Sequence, residues 1–258
     1  INLNDDFIKI FKDINISLQK FNINAWMDAG LLLKYTRGED LFPSSDIDFG
    51  VKPEDIDKLL LFSKYMKNRD YLVTSTGNIS FVFEGINLIK KIKNGKYISA
   101  DIHIYYPLEN YFCRPNSHKP LKQSYISRNL FRIFNKLNII INSSYLQETF
   151  IVKKLFILIY FVYSKIYFHV ALTTQFAIPK IFFENFKYIK IHNERILIPK
   201  HNINYLEWRY GSNWLVPNKN WRLTDGNMLL LANLKKYWTF FYSAPFFKKS
   251  IYFREKYN

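Results

Sequence analysis

The stretch that decides the fold is SDIDFGV, residues 45–51. Its acids alternate with apolar residues, and this period of two predicts a β-strand with Asp46 and Asp48 together on one face. The two carboxylates therefore converge on one spot. Two like charges this close are costly without a cation, which predicts a site for Mg²⁺ or Mn²⁺ that also reaches substrate phosphates. The alternative for an isolated Asp-x-Asp pair is a turn cap.

A third acid stands in a similar strand-like run further along the chain. Asp101 lies in ADIHIYY, residues 100–106, where the alternation places it on one face with His103. If this strand lies beside the first, three carboxylates meet at one site. The lone histidines, His103 among them, are expected to be packed or exposed rather than to bind a metal.

The residues before the acid pair predict a short strand, a turn and a short helix. AWMDAG, residues 25–30, is strand-like, and LLLKYTRG, residues 31–38, predicts a helix that Gly38 ends. A turn led by Gly30 can bring backbone N–H groups and a helix N-terminus against a phosphate. Arg37 offers a two-pronged donor for phosphoryl oxygens. Gly30 and Arg37 are therefore candidate phosphate contacts.

The remaining patterns place these motifs in a mixed fold. Apolar residues at three- and four-residue steps predict a helix over 5–21, and PEDIDKLLLFSKYMKN predicts another over 53–68. Residues 71–106 are β-rich, with a hairpin signal at Asn94-Gly95. The predicted class is α/β (α+β): a mixed sheet with flanking helices and a mostly helical, basic, aromatic-rich C-terminal part. We expect a single domain over 1–258, in which 110–258 completes a core formed by 1–109.

Charge is divided unequally along the chain. Residues 1–109 carry 14 Lys and Arg against 15 Asp and Glu, whereas residues 110–258 carry 23 against 6. The acidic residues of the first part can hold metal ions, and the basic second part attracts phosphates, anionic lipid or nucleic acid. A non-catalytic binder of single-stranded nucleic acid would leave the acid-rich first part unexplained, so nucleic acid is not the expected partner.

Two further features bear on location. LFILIYFVY, residues 155–163, is too short for a membrane span of about twenty residues. It predicts a buried core helix, with a peripheral membrane contact as the alternative because Tyr, Phe and Lys are mixed around it. The single Cys113 can form neither an internal disulfide nor, by itself, a zinc site, which favours a reducing, cytoplasmic setting.

Three blocks of the sequence, in order, resemble the signature of the LicD/fukutin family. The first resembles Gly-Thr-Leu-Leu-Gly-x-x-Arg followed by Ile-Pro-Trp-Asp-Asp-Asp-hydrophobic-Asp, the second is ADIHIYY, and the third resembles Tyr-Gly-x-x-Trp-x-x-Pro. Leu31 and Lys34 depart from the first block, as do Ser44 and Ser45 just before the acids. The matching residues are Gly30, Leu32, Leu33, Arg37, Pro43, Asp46, Asp48, Asp101, Tyr210, Gly211, Trp214, Pro217 and Trp221.

The resemblance implies a nucleotidyltransferase-type fold and a reaction. A phospho-alcohol such as phosphocholine, glycerol phosphate or ribitol phosphate would move from a CDP-linked donor to a hydroxyl of a cell-surface glycan in a capsule, lipopolysaccharide or teichoic acid, with release of CMP. A lipid-linked glycan acceptor would bring the protein to the inner face of the membrane. The alternative enzyme uses a nucleoside triphosphate to modify a small molecule or protein.

The resemblance also implies roles for individual residues. Asp46, Asp48 and Asp101 are the expected catalytic acids and metal ligands, with Asp101 serving either as a ligand or as the base that takes the acceptor proton. The residues expected to bind the donor are Gly30, Lys34, Arg37, Tyr210, Gly211 and Trp214.

Overall fold

A computed structural model describes the chain in several ranges. These are residues 3–42, 46–76, 85–92, 95–108, 110–114, 176–218 and 220–221, with residues 129, 133 and 229–230 in addition. The chain divides into two compact units, the first made of residues 1–74, 85–114 and 177–229 and the second of 75–84, 115–176 and 230–258. The first unit, to which nearly all described residues belong, draws on both of the parts 1–109 and 110–258.

Helices and strands alternate in the first part of the described chain, and strands follow one another through most of the rest. The helices are α1 (Leu3–Lys20), α2 (Ala29–Arg37), α3 (Ile56–Lys67) and α4 (Asn202–Tyr210), with 3-10 turns at Pro53–Asp55 and Lys180–Phe183. The strands are β1 (Trp26–Met27), β2 (Ile47–Val51), β3 (Leu72–Thr76), β4 (Gly85–Lys91), β5 (Tyr97–Ile104), β6 (Tyr106–Leu108), β7 (Tyr111–Arg114), β8 (Phe176–Pro179), β9 (Phe186–Ile191), β10 (Glu194–Pro199) and β11 (Leu229–Leu230).

A mixed sheet organises the described part of the first unit. Its strand order is β3-β4-β5-β2-β1-β10-β9, and a smaller sheet has the order β11-β8-β7-β6. In the larger sheet β2 pairs in parallel with β5 and antiparallel with β1, while β5 pairs antiparallel with β4. The predicted mixed α/β sheet with flanking helices is confirmed. Parallel pairing of β2 with β5 is the feature that matters for the site, because it aligns the two acid-bearing strands.

Local sequence explains the first helices. The apolar stripe of α1 is buried, including Phe11 and Ile14, which are fully buried. Helix α2 ends where Gly38 adopts a left-handed φ of 72°, a conformation that costs glycine little. These boundaries agree with the helices predicted from the apolar spacing and from Gly38.

Aromatic side chains fill the core beside β1. Trp26 is fully buried, and its ring lies 5.3 Å from that of Tyr105 and 5.0 Å from that of Phe183. Gly50, opposite Trp26 in the antiparallel pair β1–β2, allows this packing. A Cβ atom added at Gly50 would lie 2.5 Å from Trp26 Nε1, so only glycine leaves room for the indole.

The described part of 110–258 differs from the sequence prediction. It contains strands β7 to β11, one helix, α4, and single helical residues at 129 and 133, so the mostly helical character expected there does not hold for these residues. Strands β9 and β10 form an antiparallel hairpin whose turn residues His192 and Asn193 have φ values of 48° and 70°. Positive φ at both turn positions suits the right-handed twist of a hairpin. Apolar residues alternate with polar ones in much of FKYIKI, residues 186–191, and ERILIP, residues 194–199, which favours the two strands.

Several sequence features lie outside the described residues. They are the segment 155–163, Pro43, Ser44, Ser45, Asn94 and His169. Across the ranges that the structure does describe, none of the helices has the length and apolar character needed to cross a membrane.

Candidate active site

Strands β2 and β5 bring two acids side by side. Asp48 is the direct partner of Asp101 in the parallel register, so both carboxylates leave the same face of the sheet. His103 follows two residues later on that face. One ligand atom from each of Asp48, Asp101 and His103 lies within 4.8 Å of the other two. Among the described residues this group is a candidate metal site.

The histidine is held in its neutral form. Burial and, after it, the nearby Arg114 guanidinium together lower the pKa of His103 to about 3. Arg114, on β7, donates a hydrogen bond to His103 Nε2 at 2.6 Å, and Asp48 Oδ1 lies 3.3 Å from the same nitrogen. A neutral imidazole is the form that binds metals. His103 was expected to be packed or exposed rather than to bind a metal; it is buried, but its ring lies with the acids as a candidate ligand, so the pattern gave no signal for that position.

Asp48 has a raised pKa that a bound cation would lower again. Burial raises the pKa of Asp48 to about 6, Arg114 opposes that rise, and Asp28 adds to it. A divalent ion would stabilise the ionised form in place of the proton. The two carboxylates are donors that suit Mg²⁺ or Mn²⁺, and a neutral imidazole is a ligand more typical of transition metals, so the residues present fit a divalent ion held chiefly by Asp48 and Asp101.

The remaining predicted acids have different surroundings. Asp101 Oδ1 accepts a hydrogen bond from Asn87 Nδ2 at 2.8 Å, which fixes its carboxylate from the neighbouring strand β4. Asp46 lies just before β2 begins. The close group of ligand atoms comprises Asp48, Asp101 and His103, and a metal-binding role for Asp46 stays a prediction.

A buried acid that the sequence analysis did not single out lies next to this group. Asp28, between β1 and α2, has no exposed surface. Its carboxylate accepts hydrogen bonds from the hydroxyls of Tyr105 and Tyr205 and lies 3.5 Å from Arg209 Nη1. Its backbone N–H donates to the Asp48 carbonyl at 3.0 Å. The signal for this acid was its place inside the apolar run AWMDAG.

Asp28 remains ionised despite its burial. Burial alone would raise its pKa, but the Arg209 charge and the Tyr105 hydroxyl bring the pKa below its ordinary value. Arg209 is itself only 5% exposed. Its guanidinium faces Asp28 and joins α4 to the start of α2.

The N-terminus of α2 connects the acids to a cavity. Ala29 has a φ of 49°, an unusual conformation for a residue other than glycine, and it turns the chain sharply into the helix. The next residue, Gly30, donates its backbone N–H to the Asp48 carboxylate. Gly30 also lines the cavity, and among the described residues no atom outside its chain neighbours and its own helical turns lies within 4 Å of the place where its Cβ would stand.

The cavity has a volume of about 720 Å³. One wall is a single face of α2, because Gly30, Leu33 and Arg37 are spaced three and four residues apart. The other wall is supplied by the last residue of α4 and the segment after it. Its lining residues are Tyr210, Asn213, Trp214, Val216, Pro217, Asn218 and Trp221.

Arg37 ties the two walls together. Its Nε donates to the Trp214 carbonyl at 2.7 Å, and its Nη2 donates to the same carbonyl and to that of Val216 at 3.2 Å. Its Nη1 lies 3.3 Å from a carboxylate oxygen of Glu39. The guanidinium thus holds the loop that follows α4, and its expected contact with a donor phosphate stays a prediction.

The other residues expected to bind the donor lie in the cavity wall or on the helices that form it. Tyr210 and Trp214 line it, and Tyr210 lies 4.6 Å from the ring of Trp221. Gly211 ends α4 with a φ of 90° and donates its N–H to the Glu207 carbonyl at 2.8 Å. Lys34 is half-buried on α2, and its role stays a prediction.

Comparisons with known proteins give little further information. No family model matches the chain, and no curated protein matches it. A solution structure of the antibiotic-resistance factor ANT(2'')-Ia is 12% identical, and the match covers 58% of this chain and 76% of that chain at a TM-score of 0.31. A likeness of this size does not indicate which reaction the chain carries out.

Proposed function

We propose that this chain is a metal-dependent transferase of the nucleotidyltransferase type that uses an activated nucleotide. One observation carries the proposal. Gly30 donates its N–H to Asp48 and also lines the 720 Å³ cavity, so the acid group lies beside a space bounded by aromatic side chains. An acid pair beside a helix N-terminus suits phosphoryl chemistry, which requires alignment and charge neutralisation more than covalent steps.

Each residue of the group has a role in this proposal. Asp48, Asp101 and His103 would hold a divalent cation, which neutralises developing charge on phosphate oxygens. The Gly30 N–H and the N-terminus of α2 orient the Asp48 carboxylate. Asp101, fixed by Asn87, is either a cation ligand or the base that accepts the proton of the attacking hydroxyl.

The donor class rests on the resemblance to the LicD/fukutin family. The third matching block, YGSNWLVP, forms the wall of the cavity that faces α2. On this basis the donor is a CDP-linked phospho-alcohol, such as phosphocholine, glycerol phosphate or ribitol phosphate. A hydroxyl oxygen of the acceptor glycan attacks the phosphorus next to the alcohol, the bond from that phosphorus to CMP breaks, and CMP leaves. A lipid-linked acceptor would bring the reaction to the cytoplasmic face of a membrane.

CMP release tests this proposal. The purified chain is mixed with Mg²⁺, an acceptor glycan, and CDP-choline, CDP-glycerol or CDP-ribitol in turn. We expect acceptor-dependent CMP release with one donor and a loss of about 100-fold or more in Asp48→Asn and Asp101→Asn. Asp40→Asn, an exposed acid, is the matched control. Absence of CMP release with every pair, or full activity in Asp48→Asn, contradicts the proposal.

A second candidate uses a nucleoside triphosphate in the same site. The Asp48–Asp101 pair beside the N-terminus of α2 supports a triphosphate donor as well as it supports a CDP-linked donor, because this arrangement does not depend on the donor's leaving group. Thermal shifts with ATP, CTP and the CDP-alcohols separate the two. Stabilisation by a triphosphate alone favours nucleotidyl transfer, and stabilisation by one CDP-alcohol above CTP favours the first proposal.

A further inference from the structure

Arg114 is a positively charged residue at the edge of the acid group. It ends β7, and its Nη2 donates to His103 Nε2 at 2.6 Å. The side chains of His103 and Asp48 are 11% and 10% exposed, so the place where the guanidinium meets them is not sealed from solvent. Arg114 itself is half-buried. A ligand that enters at the acids can therefore reach this guanidinium.

Two other arginines of the described site already have acceptors in the fold. Arg37 donates to two backbone carbonyls of the segment after α4. Arg209 lies 3.5 Å from the buried Asp28 carboxylate. Arg114 differs, because the described group to which it donates is a neutral imidazole, which leaves the charge of the guanidinium in place. Arg114 thus retains a charge that can bind an anion.

The charges of the group favour an anion once a cation is bound. Three acids, Asp28, Asp48 and Asp101, lie with two arginines, Arg114 and Arg209, and none of the five residues is fully exposed. Three negative charges against two positive ones give a net charge of −1, and a divalent cation changes it to +1. An uncompensated charge is costly away from bulk water, so a phosphate is favoured at that stage.

Cation binding also changes the surroundings of Arg114 directly. Burial raises the pKa of Asp48, and Arg114 is the nearby charge that opposes this rise most. A cation on Asp48 takes over that role, so Arg114 loses an electrostatic partner. The lone pair of His103 Nε2 can serve either Arg114 or a cation, so a cation that takes His103 as a ligand also releases Nη2. Both effects make the guanidinium available to a phosphate oxygen.

We propose that Arg114 binds a phosphate of the nucleotide and that this contact is weak until a divalent cation is bound to the acids. The guanidinium presents a fork of N–H donors that matches two phosphate oxygens. This role deepens the proposed function and rests on it for the identity of the ligand as a nucleotide.

Arg114→Met tests the proposal, because it removes the charge and retains an unbranched apolar side chain. Binding of CDP and of cytidine, which lacks phosphate, is measured by calorimetry on the full chain with Mg²⁺ and without turnover. We expect Arg114→Met to weaken CDP binding about tenfold to 100-fold and to leave cytidine binding unchanged. Arg114→Lys keeps the charge but not the fork and should lose less. Arg195→Met, which removes an exposed arginine on β10, is the matched control and should bind CDP as the wild type does.

Two further measurements separate this role from general damage to the fold. Without Mg²⁺, CDP affinity should differ between wild type and Arg114→Met by less than about threefold. Without nucleotide, Arg114→Met should bind Mn²⁺ about threefold to tenfold more tightly than the wild type in electron paramagnetic resonance, because a positive charge beside the acids is gone. A variant that is merely misfolded loses affinity for the cation and the nucleotide together.

The outcomes also separate the role of Arg114 from the transferase proposal. Wild-type CDP affinity in Arg114→Met, equal losses for CDP and cytidine, the same loss with and without Mg²⁺, or no CDP binding by the wild type would each overturn the role of Arg114. Acceptor-dependent CMP release alongside any of these results leaves the transferase proposal standing. A selective loss of CDP binding in Arg114→Met, together with no CMP release from any CDP donor, supports the role of Arg114 and contradicts the transferase proposal.

Discussion

Replacement of Asp28 by Asn removes the buried negative charge that joins α2 to α4. The Asp28 carboxylate is fully buried, and its partners are the Tyr105 and Tyr205 hydroxyls and Arg209, which is itself 5% exposed. Asn has nearly the same shape, so the packing is retained. The change leaves the Arg209 guanidinium buried without its counter-charge.

The loss of stability expected in Asp28→Asn follows from the isolated charge of Arg209. Breaking a buried ion pair by removal of one partner costs about 3–5 kcal/mol, because the remaining charge is uncompensated. The pH dependence has a defined sign. The pKa of Asp28 is lowered from its ordinary 3.8 in the folded protein, so its contribution is present above that value and is lost as the pH falls through the folded pKa. The difference between wild type and Asp28→Asn should therefore shrink in acid.

Urea unfolding at pH 7 and in acid measures both effects. Asp70→Asn is the matched control, because the Asp70 side chain is 98% exposed and its removal should change the free energy of unfolding by less than about 0.5 kcal/mol. The double variant Asp28→Asn, Arg209→Met should recover part of the lost free energy of unfolding, because it no longer contains the uncompensated Arg209 charge. If Asp28→Asn lowers the free energy of unfolding by less than about 1 kcal/mol, the buried ion pair does not have the expected role. The same holds if the effects of Asp28→Asn and Arg209→Met simply add in the double variant.

Three further predictions concern packing, loop position and protonation. Gly50→Ala should lower the free energy of unfolding by about 1–3 kcal/mol or more, measured in urea, because the new Cβ overlaps the buried Trp26 indole. Arg37→Lys should weaken CMP binding about tenfold in calorimetry, because Lys cannot bond the Trp214 and Val216 carbonyls as a fork does; wild-type affinity would contradict this. Mn²⁺ affinity should fall about tenfold per pH unit below about pH 6, where Asp48 takes up a proton, and a flat profile would be contrary to it.

The acid-bearing strands of the sheet, with Asp48 and Asp101, could be predicted from the sequence because the pattern that indicates them is local. Alternation over a few residues is enough to predict β2 and β5, and the same alternation places Asp48 and Asp101 on defined faces. The signal for the end of α2 was also local, because Gly38 is the residue that adopts the left-handed conformation at which the helix ends. What alternation left open was the pairing of β2 with β5, which the structure supplies.

The contacts of the site could not be predicted in the same way, because they join residues far apart in the chain. Asp28 meets Arg209 across 181 positions, and Arg37 meets Trp214 across 177. Each arginine, taken alone, has an ordinary interpretation as an exposed charge. The sequence therefore suggested Arg37 as a phosphate contact, which stays a prediction, but it could not show that Arg37 also bonds the Trp214 and Val216 carbonyls or that Arg209 lies against Asp28.

The proposed function depends on the binding of a divalent cation by Asp48 and Asp101. Mn²⁺ added to the full chain at pH 7.5 is followed by electron paramagnetic resonance, which reports bound and free ion without any assumption about the donor. The account predicts one tight site in the wild type and in Asp70→Asn, and a loss of about 10–100-fold in affinity in Asp48→Asn and in Asp101→Asn. Wild-type affinity in both acid variants would contradict it.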